Sequence, residues 1–108
     1  ILSPTARGPA THDGGGRRFV FLAAPGDEAR YAIDVERSDA EMPSAISAAL
    51  GAHSRDAAFR SWTELEVRAK LFGVPVLSLL RGDAASGDAV VTLRLDTKDY
   101  WLALGKRV

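Results

Sequence analysis

Three acidic residues and one lysine carry the chemistry this chain could do. The first two acids are Asp34 and Glu36, in the run Tyr31-Ala32-Ile33-Asp34-Val35-Glu36. The run alternates, which predicts a strand, and strand residues two apart share a face. Both carboxylates are therefore aimed the same way, while Ile33 and Val35 are directed into the core. Side by side, two carboxylates repel unless something positive lies between them. The plain alternative is a solvated strand face neutralised by Arg30 or Arg37.

The other two residues lie in the segment from Phe59 to Gly73. On a helix, Trp62, Glu66 and Lys70 are four apart and stack along one ridge: an aromatic anchor, an acid and a base. Here the plain alternative is an amphipathic helix with an ordinary Glu–Lys pair, contributing a few tenths of a kcal/mol, with Phe59 and Trp62 in the core.

The elements that must position these groups can be read from the same sequence. Residues 1–17 are rich in Gly, Pro, Ser and Thr and read as a flexible arm, leaving 18–108 as the domain. A short apolar run, Arg18 to Ala24, predicts a strand that turns at Pro25-Gly26-Asp27 and hairpins to the Tyr31–Glu36 strand. Ser38 or Asp39 could cap a helix ending near Leu50, before Gly51. A second helix runs from about Ser54 to Phe72, stopped by Gly73 and Pro75. Pro75 to Leu80 is apolar and β-compatible. Ala89–Asp96 and Asp99–Leu104 read as a hairpin around Thr97-Lys98. The expectation is an α+β fold, a small antiparallel sheet packed on one long helix.

Composition narrows the function classes. Hydrophobic residues make up 46% of the 108, enough for a packed core. Fourteen basic and fourteen acidic residues give zero formal net charge, so nothing favours nucleic acid or an anionic membrane. Without cysteine there is neither a disulfide framework nor a thiolate metal site. No apolar run reaches membrane-spanning length and no leader pattern opens the sequence, so a cytoplasmic location is the default expectation. His53 reads as a surface residue, and the two histidines have no zinc-site spacing. Gly14-Gly15-Gly16-Arg17-Arg18 could cradle a phosphate or be a solvated loop. Arg81-Gly82-Asp83 reads as a chance turn tripeptide.

Taken together, the strand and helix motifs resemble the signature of the 4′-phosphopantetheinyl transferase superfamily. That family has a strand of the form G-[IV]-D-[IV]-E and, further on, a helix of the form F-x-x-W-[ST]-x-x-E-[AS]-x-x-K-x-x-G. The chain has Ala32-Ile33-Asp34-Val35-Glu36, then Phe59, Trp62, Thr63, Glu66, Lys70 and Gly73 in that spacing and order. Tyr100-Trp101-Leu102-Ala103-Leu104 is similar to the family's closing strand, and Pro9-Ala10-Thr11-His12-Asp13-Gly14 is similar to its Ser-His loop.

The resemblance implies a phosphopantetheinyl-transferase-like half-domain that moves the phosphopantetheine arm of coenzyme A to a serine of an acyl or peptidyl carrier protein. It implies Mg2+ held by Asp34, Glu36 and Glu66, since magnesium takes carboxylate, phosphate and water oxygens. Lys70 would sit on the diphosphate, His12 would contact a coenzyme A phosphate, and Glu66 or a metal-bound water would take the serine proton.

The motif layout follows surfactin-type members, which have two such halves, whereas the length is near that of the holo-acyl-carrier-protein synthases, which trimerise. Homo-oligomerisation or association with a second half is expected. Thr11 stands where the family has Ser, Leu65 and Val67 flank Glu66, and the usual Phe-Ser-x-x-Glu acid is missing, with Asp39 or Glu41 as substitutes. A catalytically degenerate member acting as a binding or structural protein is the alternative.

Overall fold

Alternation along Tyr31–Glu36 sends side chains to two faces of a sheet, and in the folded chain something packs on each. The computed structural model describes residues 9–13, 16–24, 26–80 and 90–107. In chain order they form strands β1 (Ala10–His12), β2 (Arg18–Val20) and β3 (Tyr31–Arg37). Helices α1 (Ser44–Ala49), α2 (Arg55–Phe72) and α3 (Val76–Leu80) follow, then strands β4 (Val90–Arg94) and β5 (Tyr100–Arg107). Among the described residues, β3, β5 and β4 form an antiparallel sheet in that order, and β1 pairs with β2 in a separate antiparallel hairpin. The α+β expectation is met.

Register fixes which residues meet. Ala32, Asp34 and Glu36 oppose Gly105, Ala103 and Trp101 across the β3–β5 ladder. Cross-strand partners share a face, and this one receives α2. Ala32, Ala103 and Val90 form a buried cluster with Val67 and Leu71 of the helix. Small residues let the helix come close. A Cβ at Gly105 would overlap Val67 Cγ1 and crowd Leu71 Cδ1.

Local chemistry sets the ends of α2. Ser54 is extended, and its Oγ accepts from the Ala57 N–H at 3.1 Å, satisfying an orphan donor of the first turn. Gly73 ends the helix at φ +65°, a left-handed conformation that suits glycine, and its N–H returns to the Ala69 carbonyl. Thr63, fully buried, turns its hydroxyl back onto the carbonyls of Phe59 and Arg60.

On the opposite face, Tyr31 meets Phe21 and Tyr100 meets Phe19, so the β1–β2 hairpin covers the β3 side of the sheet. Among the described residues, nothing covers the β4 side. Val91, Leu93 and Leu95 are at least half exposed, beside a cavity of about 300 Å³ lined partly by Phe19, Phe21, Ile33 and Leu104. Ile33 and Val35 are buried, but on this hairpin side and not under the helix.

Several expectations need correction. The arm is not all arm, because Ala10–His12 is a strand whose ladder continues through the Phe21 N–H to the Pro9 carbonyl. The first predicted strand is only Arg18–Val20, and it does not hairpin to β3. Its ladder is taken by β1, and a 3-10 turn at Glu28–Arg30 carries the chain to the other sheet. No helix starts at Ser38 or Asp39. The chain turns there, with Arg37 paired to Asp39, and Arg55 donates to the carbonyls of Ser38 and Ala40. Helix α1 waits for Pro43, because a residue before proline avoids the helical region.

Pro75–Leu80 is not a strand. Proline is well suited to a helix start, and Val76–Leu80 form a short helix against α2. Strand β5 runs on to Arg107, past the expected Leu104. Residues 1–8, Gly14-Gly15, Pro25 and the Arg81–Ala89 stretch with its RGD tripeptide lie outside the described residues.

Candidate functional site

The strand and helix carrying the motifs run antiparallel to each other, so their polar residues meet in pairs. Near the start of the α2 ridge, Trp62 lies beside Glu36 and favours its charged form. Two turns later, Lys70 reaches β3. Its ammonium donates to the Ile33 carbonyl at 2.7 Å, to Asp34 Oδ1 at 3.3 Å and to Thr11 Oγ1 of β1 at 3.2 Å. Glu66 lies between them on the ridge, close enough to act electrostatically on both Asp34 and Glu36. The sequence-predicted set Asp34, Glu36, Glu66 and Lys70 is therefore one cluster.

Burial dominates its electrostatics. Asp34 is 5% exposed, and loss of water pushes its carboxyl up to about 7. Lys70 opposes that rise, while the negative charges of Glu36 and Glu66 add to it. Glu36 is also raised, by burial first, with the Trp62 hydrogen bond working against it and Glu66 with it. Burial raises Glu66 too, and Lys70 pulls it back. Burial thus disfavours the charged form of all three acids, and additional positive charge would favour it.

One atom identifies where that charge is needed. Asp34 Oδ2 is buried without a hydrogen-bond partner. A buried carboxylate oxygen left unmatched costs free energy, and such atoms are rare in folded proteins. Oxygen donors, a net negative cluster and an unmatched lone-pair site suit a hard divalent cation. Among the described residues, however, no group of three or more His, Cys, Asp or Glu side chains is gathered tightly enough to hold a metal ion as it stands. The Lys70 ammonium is bonded to Asp34 Oδ1.

His12 is placed differently. It lies in β1 opposite Arg18 and is exposed. Its neighbour Thr11 touches Lys70, so strand alternation directs the imidazole away from that ammonium. Trp62 is not only a packing residue, since it also acts on the charge of Glu36.

Sequence reasoning missed three participants. Thr11 was noted only as a departure from Ser, and nothing local signals its contact with a lysine 59 residues away. Trp101 opposes Glu36 in the ladder and stacks on Phe59 at 5.9 Å, with its buried Nε1 unpartnered. Arg94 forms a two-pronged bond to Asp96 at 2.8 and 3.0 Å and also donates to the Arg60 carbonyl, tying β4 to α2. Asp96 is pulled below its ordinary range despite the opposing effect of burial, by the bonds from Arg94 and the Leu102 N–H.

Arg17 lies in another polar cleft, with Asp13, Arg37, Asp39 and Asp99, so acids surround the arginines there. No helix among the described residues is long and apolar enough to cross a membrane. No protein-family model, no curated protein and no solved structure matches this chain.

Proposed function

We propose that this chain is a magnesium-dependent phosphopantetheinyl-transferase-like half-domain, with Asp34, Glu36 and Glu66 as metal ligands and Lys70 as the cation facing the diphosphate of coenzyme A. The observation that carries the reading is the buried acid cluster with Asp34 Oδ2 unmatched. It brings together, on one strand and one helix, the residues that the family motif would require.

Magnesium, when bound, would supply charge neutralisation of the diphosphate and of its developing negative charge. This chain's residues would do the rest. Asp34 would stay fixed by Lys70, and Trp62 would favour the charged form of Glu36. Transfer forms a bond between the carrier serine Oγ and the β-phosphorus and breaks that phosphorus's bond to the bridging oxygen, so 3′,5′-adenosine diphosphate leaves. The serine proton would pass to Glu66 or to water, and burial, which raises the Glu66 carboxyl, makes it a better proton acceptor than an exposed carboxylate. The bare apolar face along Val91, Leu93 and Leu95 supports association with a second copy or second half.

The test is transfer itself. Protein incubated with coenzyme A, Mg2+ and several apo carrier proteins should add one phosphopantetheine mass to a carrier serine, and Glu66→Gln should abolish it. A wild-type protein that modifies none of them would remove the reading.

A second reading is a degenerate member that binds without turnover. It is favoured by the three acids' lack of convergence and by the full engagement of the Lys70 ammonium. It expects ligand or partner binding without transfer.

A further inference from the structure

Lys70 has three N–H donors and, in this fold, three acceptors. The Ile33 carbonyl, Asp34 Oδ1 and Thr11 Oγ1 take one each. An ammonium has no fourth donor. An anionic oxygen can therefore gain a hydrogen bond from Lys70 only by displacing one of these three.

The three are not equivalent. The backbone carbonyl is held by β3 and makes the shortest bond. Asp34 is buried, carries the opposing charge, and has no other partner for its oxygens. Both of those bonds are partly buried, whereas the bond to Thr11 lies on the exposed side. Thr11 is also the neutral, side-chain-only partner, and it comes from a hairpin outside the sheet that carries the acids. Water can replace its oxygen cheaply, and so can a phosphate oxygen.

We infer that Thr11 is an internal competitor at the anion site. Its hydroxyl occupies the one Lys70 donor that an incoming phosphate oxygen can use, and so sets the affinity of this centre for anionic ligands. The inference rests on the reading that Lys70 meets a phosphate group. It adds a sign that a direct ligand role for Thr11 would not give: removing the hydroxyl tightens binding.

Inorganic pyrophosphate is the probe, titrated calorimetrically at fixed ionic strength against wild type, Thr11→Val, Thr11→Ala, Thr11→Ser and Lys70→Met. Freeing one donor from a neutral hydrogen bond should tighten binding about three- to ten-fold in the Val and Ala variants. The Ser variant should match wild type, and Thr11→Val made in the Lys70→Met background should bring no gain. The 15N resonance of the Lys70 ammonium should shift in the Val and Ala variants before any ligand is added, which a packing role for Thr11 would not produce.

Unchanged or weaker binding in folded Val and Ala variants, or no pyrophosphate binding in any protein, overturns the inference. Tighter pyrophosphate binding without any affinity for coenzyme A and Mg2+ would keep it and remove the transferase reading. Coenzyme A binding that is indifferent to Thr11 would do the reverse.

Discussion

Lys70 Nζ stands 3.3 Å from Asp34 Oδ1, yet the Asp34 carboxyl is lifted to about 7. A single ammonium does not offset burial together with two neighbouring acids. That imbalance gives the site a pH dependence. A carboxyl raised in the folded state keeps its proton through a range where the unfolded chain has lost it. The stability that Asp34 contributes is then fully present below its ordinary value of 3.8 and is lost as pH rises through about 7. Glu36 and Glu66, raised as well, act in the same direction. Asp34→Asn should flatten the fall in unfolding free energy between these values, with a ceiling of roughly 4 kcal/mol from the full shift. Denaturant unfolding of both proteins across that range is the check.

Magnesium should reverse the trend. A cation requires the ionised acids, so it should stabilise the fold more at pH 8 than at pH 6. At a concentration a hundredfold above its dissociation constant the gain is about 2.7 kcal/mol. Glu66→Gln should remove most of it. Melting curves with and without Mg2+ at the two pH values measure this directly.

Trp62→Phe keeps an aromatic anchor but removes the N–H that favours the charged form of Glu36. The Glu36 carboxyl should rise further, and Mg2+ stabilisation should weaken while the fold persists. Carboxyl titration by NMR would report the first effect and melting curves the second.

Gly105→Ala tests how the helix is seated. The added Cβ would overlap Val67 Cγ1, and Val67 is fully buried. The helix must shift or Val67 must leave its rotamer, at a cost of about 1–3 kcal/mol. Equilibrium unfolding measures the loss, and a variant as stable as wild type would contradict the close packing described.

What was legible in the sequence follows from how local each signal is. Helix α2 was readable because Ser54, Gly73 and Pro75 mark its ends chemically, and β3 because Tyr31–Glu36 alternates cleanly. Spacing placed Asp34 and Glu36 on one strand face and Glu66 and Lys70 on one helix ridge, but only the family resemblance brought the strand and the helix together. Pairing was not readable. Residues 18–20 and 31–37 are both strand-like, and nothing local says that one joins β1 and the other β5. Val76–Leu80 misled because a short apolar run suits either state, and the proline before it decided for a helix. Thr11 and Trp101 join the cluster only through register and tertiary contact, which residue spacing does not encode.

The most direct test of the central claim is titration of coenzyme A into the wild-type protein with and without Mg2+, with oligomeric state measured on the same sample. The account predicts binding that depends on Mg2+ and is lost in Asp34→Asn and Glu66→Gln. Absence of binding to the folded protein under both conditions would contradict it.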